Sequence, residues 1–295
     1  MELTIISGKG GTGKTTVAVA LADLNRNAVK ADCDVDAPNL YLYYKGDDIR
    51  REPFSGLKQA IVNEALCTDC GVCESVCRFD AIAGHTIDPL ACEGCGACAL
   101  ACPQKAISMV PQHDADVIMT KTDAGMLSRA DMAVGSEGSG KLITLLRKNA
   151  REVAESGQWI IADGSPGVGC AVISSITAAD LILIVTEPTL SGLADFKRVI
   201  ELSEHFGIPA AVCVNKFDLN ADVAEQIRSY SKEHGVPVIG EIPFDETVPR
   251  SINELKPVTQ YEGSAAGDAI RLLWQKLNAL TESIMHKNDA EKGAS

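Results

Sequence analysis

Eight of the eleven cysteines fall in two tight runs. Cys67, Cys70, Cys73 and Cys77 have the spacing C-x2-C-x2-C-x3-C, and Cys92, Cys95, Cys98 and Cys102 repeat it, followed by Pro103. Short loops of this spacing let three thiolates grip one iron–sulfur cubane while the fourth crosses to a second. Cluster one is expected on Cys67, Cys70, Cys73 and Cys102, and cluster two on Cys92, Cys95, Cys98 and Cys77. Arg78 stands where a proline commonly follows the first run. Four thiolates also suit Zn2+, yet two full copies of the pattern favour two 4Fe-4S clusters. A disulfide framework belongs to small secreted chains, whereas this one has 295 residues and no leader pattern. Cys33, Cys170 and Cys213 are scattered in or beside apolar segments, where free cysteine is often simply buried.

A second chemistry opens the chain. "GKGGTGKT", residues 8–15, fits the P-loop pattern with Gly8, Gly13, Lys14 and Thr15 in the required places. Gly8, Gly10, Gly11 and Gly13, with Thr12 and Thr16, would let backbone N–H groups turn onto phosphates at a helix N-terminus. Lys14 would hold the β- and γ-phosphates and Thr15 would place its hydroxyl on Mg2+. Lys9 needs its own explanation, since an ordinary P-loop does not require it. "GSEGSGKL", 135–142, has a similar glycine spacing but Leu142 in place of Ser or Thr, and reads as a turn before a helix. Asp163 in "WIIADGSPGVG" ends a hydrophobic strand, where a carboxylate can accept from a Mg2+ water. "DCDVDAPN", 32–39, supplies acidic residues at another strand end. In "VNKFD", Asn215, Lys216 and Asp218 match the Asn-Lys-x-Asp guanine reader, which keeps GTP open beside ATP.

Around these motifs, apolar runs at 2–7, 27–34, 158–164, 180–187, 209–215 and 236–242 read as strands. Helical stretches at 15–24, 141–156, 191–206 and 221–234 alternate with them, and 115–122 with 125–134 reads as a hairpin. That rhythm means an α/β fold, a doubly wound and mostly parallel sheet with helices on both faces. Residues 64–112 break it: 67–82 aligns without gaps to 92–107, an internal repeat. The expected organisation is 1–63 and 113–295 as one P-loop domain, with 64–112 as a small inserted α+β, bacterial-ferredoxin-like domain. The amphipathic stretch 270–284 mixes acids and bases on its polar face, which favours packing on the sheet over membrane binding.

"KGGTGKTT" resembles the deviant P-loop of the MinD, ParA, Mrp and nitrogenase-iron-protein group. With the Asp163 loop and the cysteine insert, the chain is similar to members of that superfamily that contain a two-cluster ferredoxin domain. The resemblance implies an ATP-dependent homodimer in which Lys9 reaches the partner's phosphates. It makes 32–39 switch I, with Asp34 orienting the attacking water and Asp36 reaching the Mg2+ shell, or the two roles exchanged. It places Asn215 against adenine. Ser165-Pro166 replaces the Pro-Pro common in switch II.

A net charge of −13 argues against nucleic acid as a main partner, and no apolar run is long enough to span a membrane. Met1 leads almost directly into the first strand, so a cytoplasmic location is expected. The leading expectation is an ATPase, slow without its partner, using ATP, Mg2+ and two 4Fe-4S clusters. Its nucleotide state would gate electron transfer, or iron–sulfur or metal handling, for an unidentified redox or metal-handling protein. The rivals are a positioning ATPase with structural clusters and a simple electron carrier with a degenerate nucleotide site.

Overall fold

The computed structural model describes residues 1–292, and side-chain surroundings as far as residue 284. The strands are β1 (Glu2–Ser7), β2 (Val29–Asp32), β3 (Gly46–Phe54), β4 (Lys58–Val62), β5 (Ile82–Ala83), β6 (Thr86–Ile87), β7 (Ile107–Pro111), β8 (Ala115–Thr122), β9 (Gly125–Met132), β10 (Ile160–Pro166), β11 (Leu181–Thr186), β12 (Ala210–Asn215) and β13 (Val238–Ile242). The helices are α1 (Lys14–Leu24), α2 (Leu40–Tyr43), α3 (Val72–Ser75), α4 (Ala97–Ala101), α5 (Gly140–Val153), α6 (Cys170–Ile176), α7 (Leu190–His205), α8 (Ala221–Glu233), α9 (Thr247–Asn253) and α10 (Ala265–Lys292). The described residues divide into two compact units: Met1–Arg50 with 118–130 and 138–292, and Arg51–Val117 with Asp131–Glu137.

The first unit is built on a sheet of order β13-β12-β11-β1-β10-β2-β9-β8-β3. The pairs from β13 through to β9 are parallel. Both faces are covered, so inner strands read as unbroken apolar runs. β11 shows why: Leu181, Leu183 and Val185 enter one core with α1 and α10. Ile182 and Ile184 enter the other, with α6, α7 and α8. Along α10, Ile270, Leu273 and Leu277 are buried in that first core, and Trp274 lies 5.0 Å from Trp159. This is the sheet packing expected for 270–284. Among the described residues no helix is long and apolar enough to cross a membrane. At the β1 N-terminus, buried Glu2 accepts from Arg147 and Arg151 and pins α5 to the sheet.

β3 is absent from the sequence reading. Its residues, GDDIRREPF, are almost all exposed at the sheet edge, so no apolar pattern marks them.

The second unit is wider than 64–112, because β4 pairs antiparallel with β7 from Lys58↔Pro111 to Val62↔Ile107 and closes it from outside. β5 and β6 form a short antiparallel pair. Its core is small: Ala60, Ile82, Cys98 and Ile107, with Cys73, Cys77, Cys92 and Cys102 packed against them.

Candidate functional site

β1, β2, β10, β11 and β12 all end on one edge of the first unit's sheet, the edge where open α/β sheets bind ligands. Between β1 and α1 the loop 8–13 turns sharply, with Gly11 at φ 80° and Gly13 at φ 93°. A Cβ on Gly13 would also meet Asn215 Nδ2 at 2.3 Å. Asn215 Nδ2 donates to Thr12 O at 2.7 Å, so the end of β12 holds the loop in shape. Thr12 Oγ1 is buried and has no partner among the described residues, an orphan that a phosphate oxygen would satisfy.

Lys14 opens α1 and is 5% exposed. Its ammonium lies 2.6 Å from Asp163 Oδ1 and 3.1 Å from Asp34 Oδ2. Burial pulls the Lys14 pKa down, but those two carboxylates outweigh it and the net direction is up. Burial raises the pKa of Asp34, partly offset by Lys14. Thr15 Oγ1 donates to Asp163 Oδ2 at 2.7 Å. Asp163 thus gathers a cation and a hydroxyl, a donor set suited to phosphate oxygens and a hydrated divalent ion.

Asp36 sits elsewhere. It is exposed, and its Oδ1 accepts the Gly138 N–H at 2.8 Å. Gly138 belongs to the glycine-rich stretch 135–142, which caps α5 through Ser139 accepting from Leu142 N at 3.3 Å. Beside the loop, Gly11, Gly13, Thr16, Asn215, Lys216, Ile242, Pro243 and Phe244 line a cleft with apolar walls, suited to a flat base. Asp218 Oδ1 accepts from Phe244 N at 2.8 Å. Lys9 pairs with Glu187 at 2.8 Å.

Two residues of this site escape the sequence reading. Asp32 is wholly buried, and its Oδ2 accepts from Asn39 N at 3.1 Å and Leu40 N at 3.0 Å, closing the loop that carries Asp34. It ends the buried strand β2 in register with Asp163, and an acid at a buried strand end was the available signal. Glu187 has none, since only the fold brings it to Lys9.

In the second unit the cysteines separate into two pockets. Cys67, Cys70, Cys73 and Cys102 line one, and Cys77, Cys92, Cys95 and Cys98 line the other. The repeat extends to the backbone. Asp69 and Gly94 have φ 52° and 64°, Gly71 and Gly96 have 71° and 76°, and Asp80 and Lys105 have 52° and 51°. Gly71 and Gly96 each precede a short helix, α3 and α4. Asp69 N donates to Cys67 Sγ at 3.4 Å and Ala106 N to Cys102 Sγ at 3.3 Å. Among the described residues no three Cys, His, Asp or Glu side chains form a group that could hold a single metal ion. Of the other cysteines, Cys33 and Cys213 are buried and Cys170 is exposed.

Residues 3–258 match the family described as the CobQ/CobB/MinD/ParA nucleotide-binding domain. An uncharacterised protein of Methanocaldococcus jannaschii is 36% identical over 286 residues, covering 94% of this chain and 96% of that protein. An iron–sulfur cluster carrier protein of Pyrococcus horikoshii is 24% identical, covering 95% of this chain and 87% of that one. In fold, the chain is similar to the septum site-determining protein MinD of Pyrococcus horikoshii complexed with Mg-ADP. The TM-score is 0.59 at 18% identity, covering 96% of this chain and 98% of that one.

Proposed function

The chain belongs to the CobQ/CobB/MinD/ParA nucleotide-binding family and is a P-loop ATPase; from that premise we propose that its nucleotide state gates electron transfer, or iron–sulfur or metal handling, for a protein partner. Two 4Fe-4S clusters in the second unit are the working groups of this reading. One observation carries it: an intact phosphate site and two four-cysteine pockets share one chain. The pockets are lined by the crosswise sets, three cysteines of one run with the last of the other. The likeness to an iron–sulfur cluster carrier protein points the same way.

In the ATPase site, Lys14, now paired with Asp163 and Asp34, would hold the β- and γ-phosphates. Thr15 and Asp163, joined by a hydrogen bond here, would hold a hydrated Mg2+. When bound, Mg2+ neutralises phosphate charge. Asp34, freed from Lys14, orients the attacking water. Lys9 completes the site of a second copy across an ATP-bound homodimer. Asp36 is tied to Gly138, which leaves Asp34 the better candidate for the water. Adenine fits the cleft beside Asn215, and the engagement of Asp218 with Phe244 N favours ATP over GTP.

The test is the midpoint potential of the clusters, measured without oxygen, with ADP and with a non-hydrolysable ATP analogue. The expected result is a shift of tens of millivolts that disappears in Lys14→Ala; for a one-electron couple, about 59 mV is a tenfold coupling. Equal potentials in the two nucleotide states would favour the rival reading, a positioning ATPase with structural clusters.

A further inference from the structure

Lys9 commits three hydrogen-bond contacts to its own chain. Its Nζ meets Glu187 Oε1 at 2.8 Å, Ser191 Oγ at 3.0 Å and Thr189 Oγ1 at 3.2 Å. An ammonium has three donors, so nothing is left over for a phosphate. The other oxygen of Glu187 takes Lys216 Nζ at 3.3 Å. Burial alone would raise the Glu187 pKa, but its bonds to Lys9 and Lys216 bring it below the ordinary carboxylate value, so it is ionised at neutral pH. The lysine side chain is 29% exposed and the glutamate 14%, so the cation is the partner with room to leave.

We propose that Glu187 is a positioning residue that parks Lys9 in its own subunit and releases it only to the phosphates of an ATP-loaded second copy. This rests on the reading of Lys9 as a charge supplied in trans. A triphosphate outcompetes the carboxylate because it carries more charge and more acceptor oxygens, and because Glu187 is already shared with Lys216. An ADP-loaded copy lacks the terminal phosphate and leaves the lysine parked. The contact therefore sets the threshold at which two copies close.

Glu187→Gln keeps the shape and removes the charge. Sedimentation of the full chain with a non-hydrolysable ATP analogue should give a dimer dissociation constant roughly fivefold lower than wild type, the scale of one partly exposed ion pair. Glu187→Asp, which keeps the charge, should stay close to wild type, and Lys9→Ala/Glu187→Gln should lose the gain. An unchanged or weaker Glu187→Gln dimer overturns the parking role, and equal behaviour of the Gln and Asp variants does the same. Lys9→Ala alone separates the two layers: if it dimerises as well as wild type, the trans role itself fails and parking falls with it.

Discussion

Asp32 has one oxygen satisfied by two backbone N–H groups and the other without a partner, both fully buried. Burial first, then the charge of Asp163, lifts its pKa to about 8. The folded chain therefore holds this proton more tightly than the unfolded one. Wild-type stability contributed by the group is present at low pH and falls as pH rises from the ordinary carboxylate range to about 8. Asp32→Asn keeps an oxygen for Asn39 and Leu40 but cannot ionise. Its advantage in unfolding free energy should grow between about pH 5 and about pH 8, then level off. Urea unfolding of both proteins, without nucleotide or Mg2+, checks this, and a pH-independent difference would count against a buried protonated Asp32. Lys14, Thr15 and Asp163 are readable from sequence because a phosphate site demands those types at fixed places along a strand–loop–helix. Asp32 carries the same strand-end signature as Asp163, yet the sequence reading passes over it for Asp34 and Asp36. The Lys9–Glu187 pair is not readable at all, because only the adjacency of β1 and β11 brings it together.

Among the elements, the strands and helices of the first unit were legible because burial on both faces writes continuous apolar runs. β3 left no such trace, and β4 was missed because it faces a core of only a few residues. The duplicated turns around α3 and α4 separate two causes of glycine. Gly94 is at φ 64°, and a Cβ there would meet the Lys58 carbonyl oxygen at 2.1 Å. Gly96 is at φ 76° with nothing within 4 Å of its would-be Cβ. Gly96→Ala should cost about 1–2 kcal/mol, the left-handed strain alone. Gly94→Ala should cost well beyond that, because β4 backbone must shift as well. Proteolysis of the 51–117 segment should therefore speed up far more for Gly94→Ala, and similar rates would show that β4 yields freely.

Across the whole molecule, a single family match from residue 3 to 258 runs through both units. The limits of the second unit were not readable in the sequence, because they depend on β4 meeting β7 and on 131–137 returning to it. Which thiols share a pocket has a direct readout. On the proposed cluster assignment, Cys77→Ser takes away the fourth thiol of the pocket lined by Cys92, Cys95 and Cys98. Anaerobically purified protein should then lose about half its iron, with one of two cluster signals gone. Loss from the other pocket instead would reverse the crosswise pairing. The matched turns at 69 and 94, 71 and 96, and 80 and 105 look like two copies of one ancestral stretch. Duplicated stretches are ordinarily free to drift, one preserving the old job while the other decays. Here each copy lends its last cysteine to its twin's pocket, so on the cluster reading a change that removes either copy would leave both pockets short of thiols.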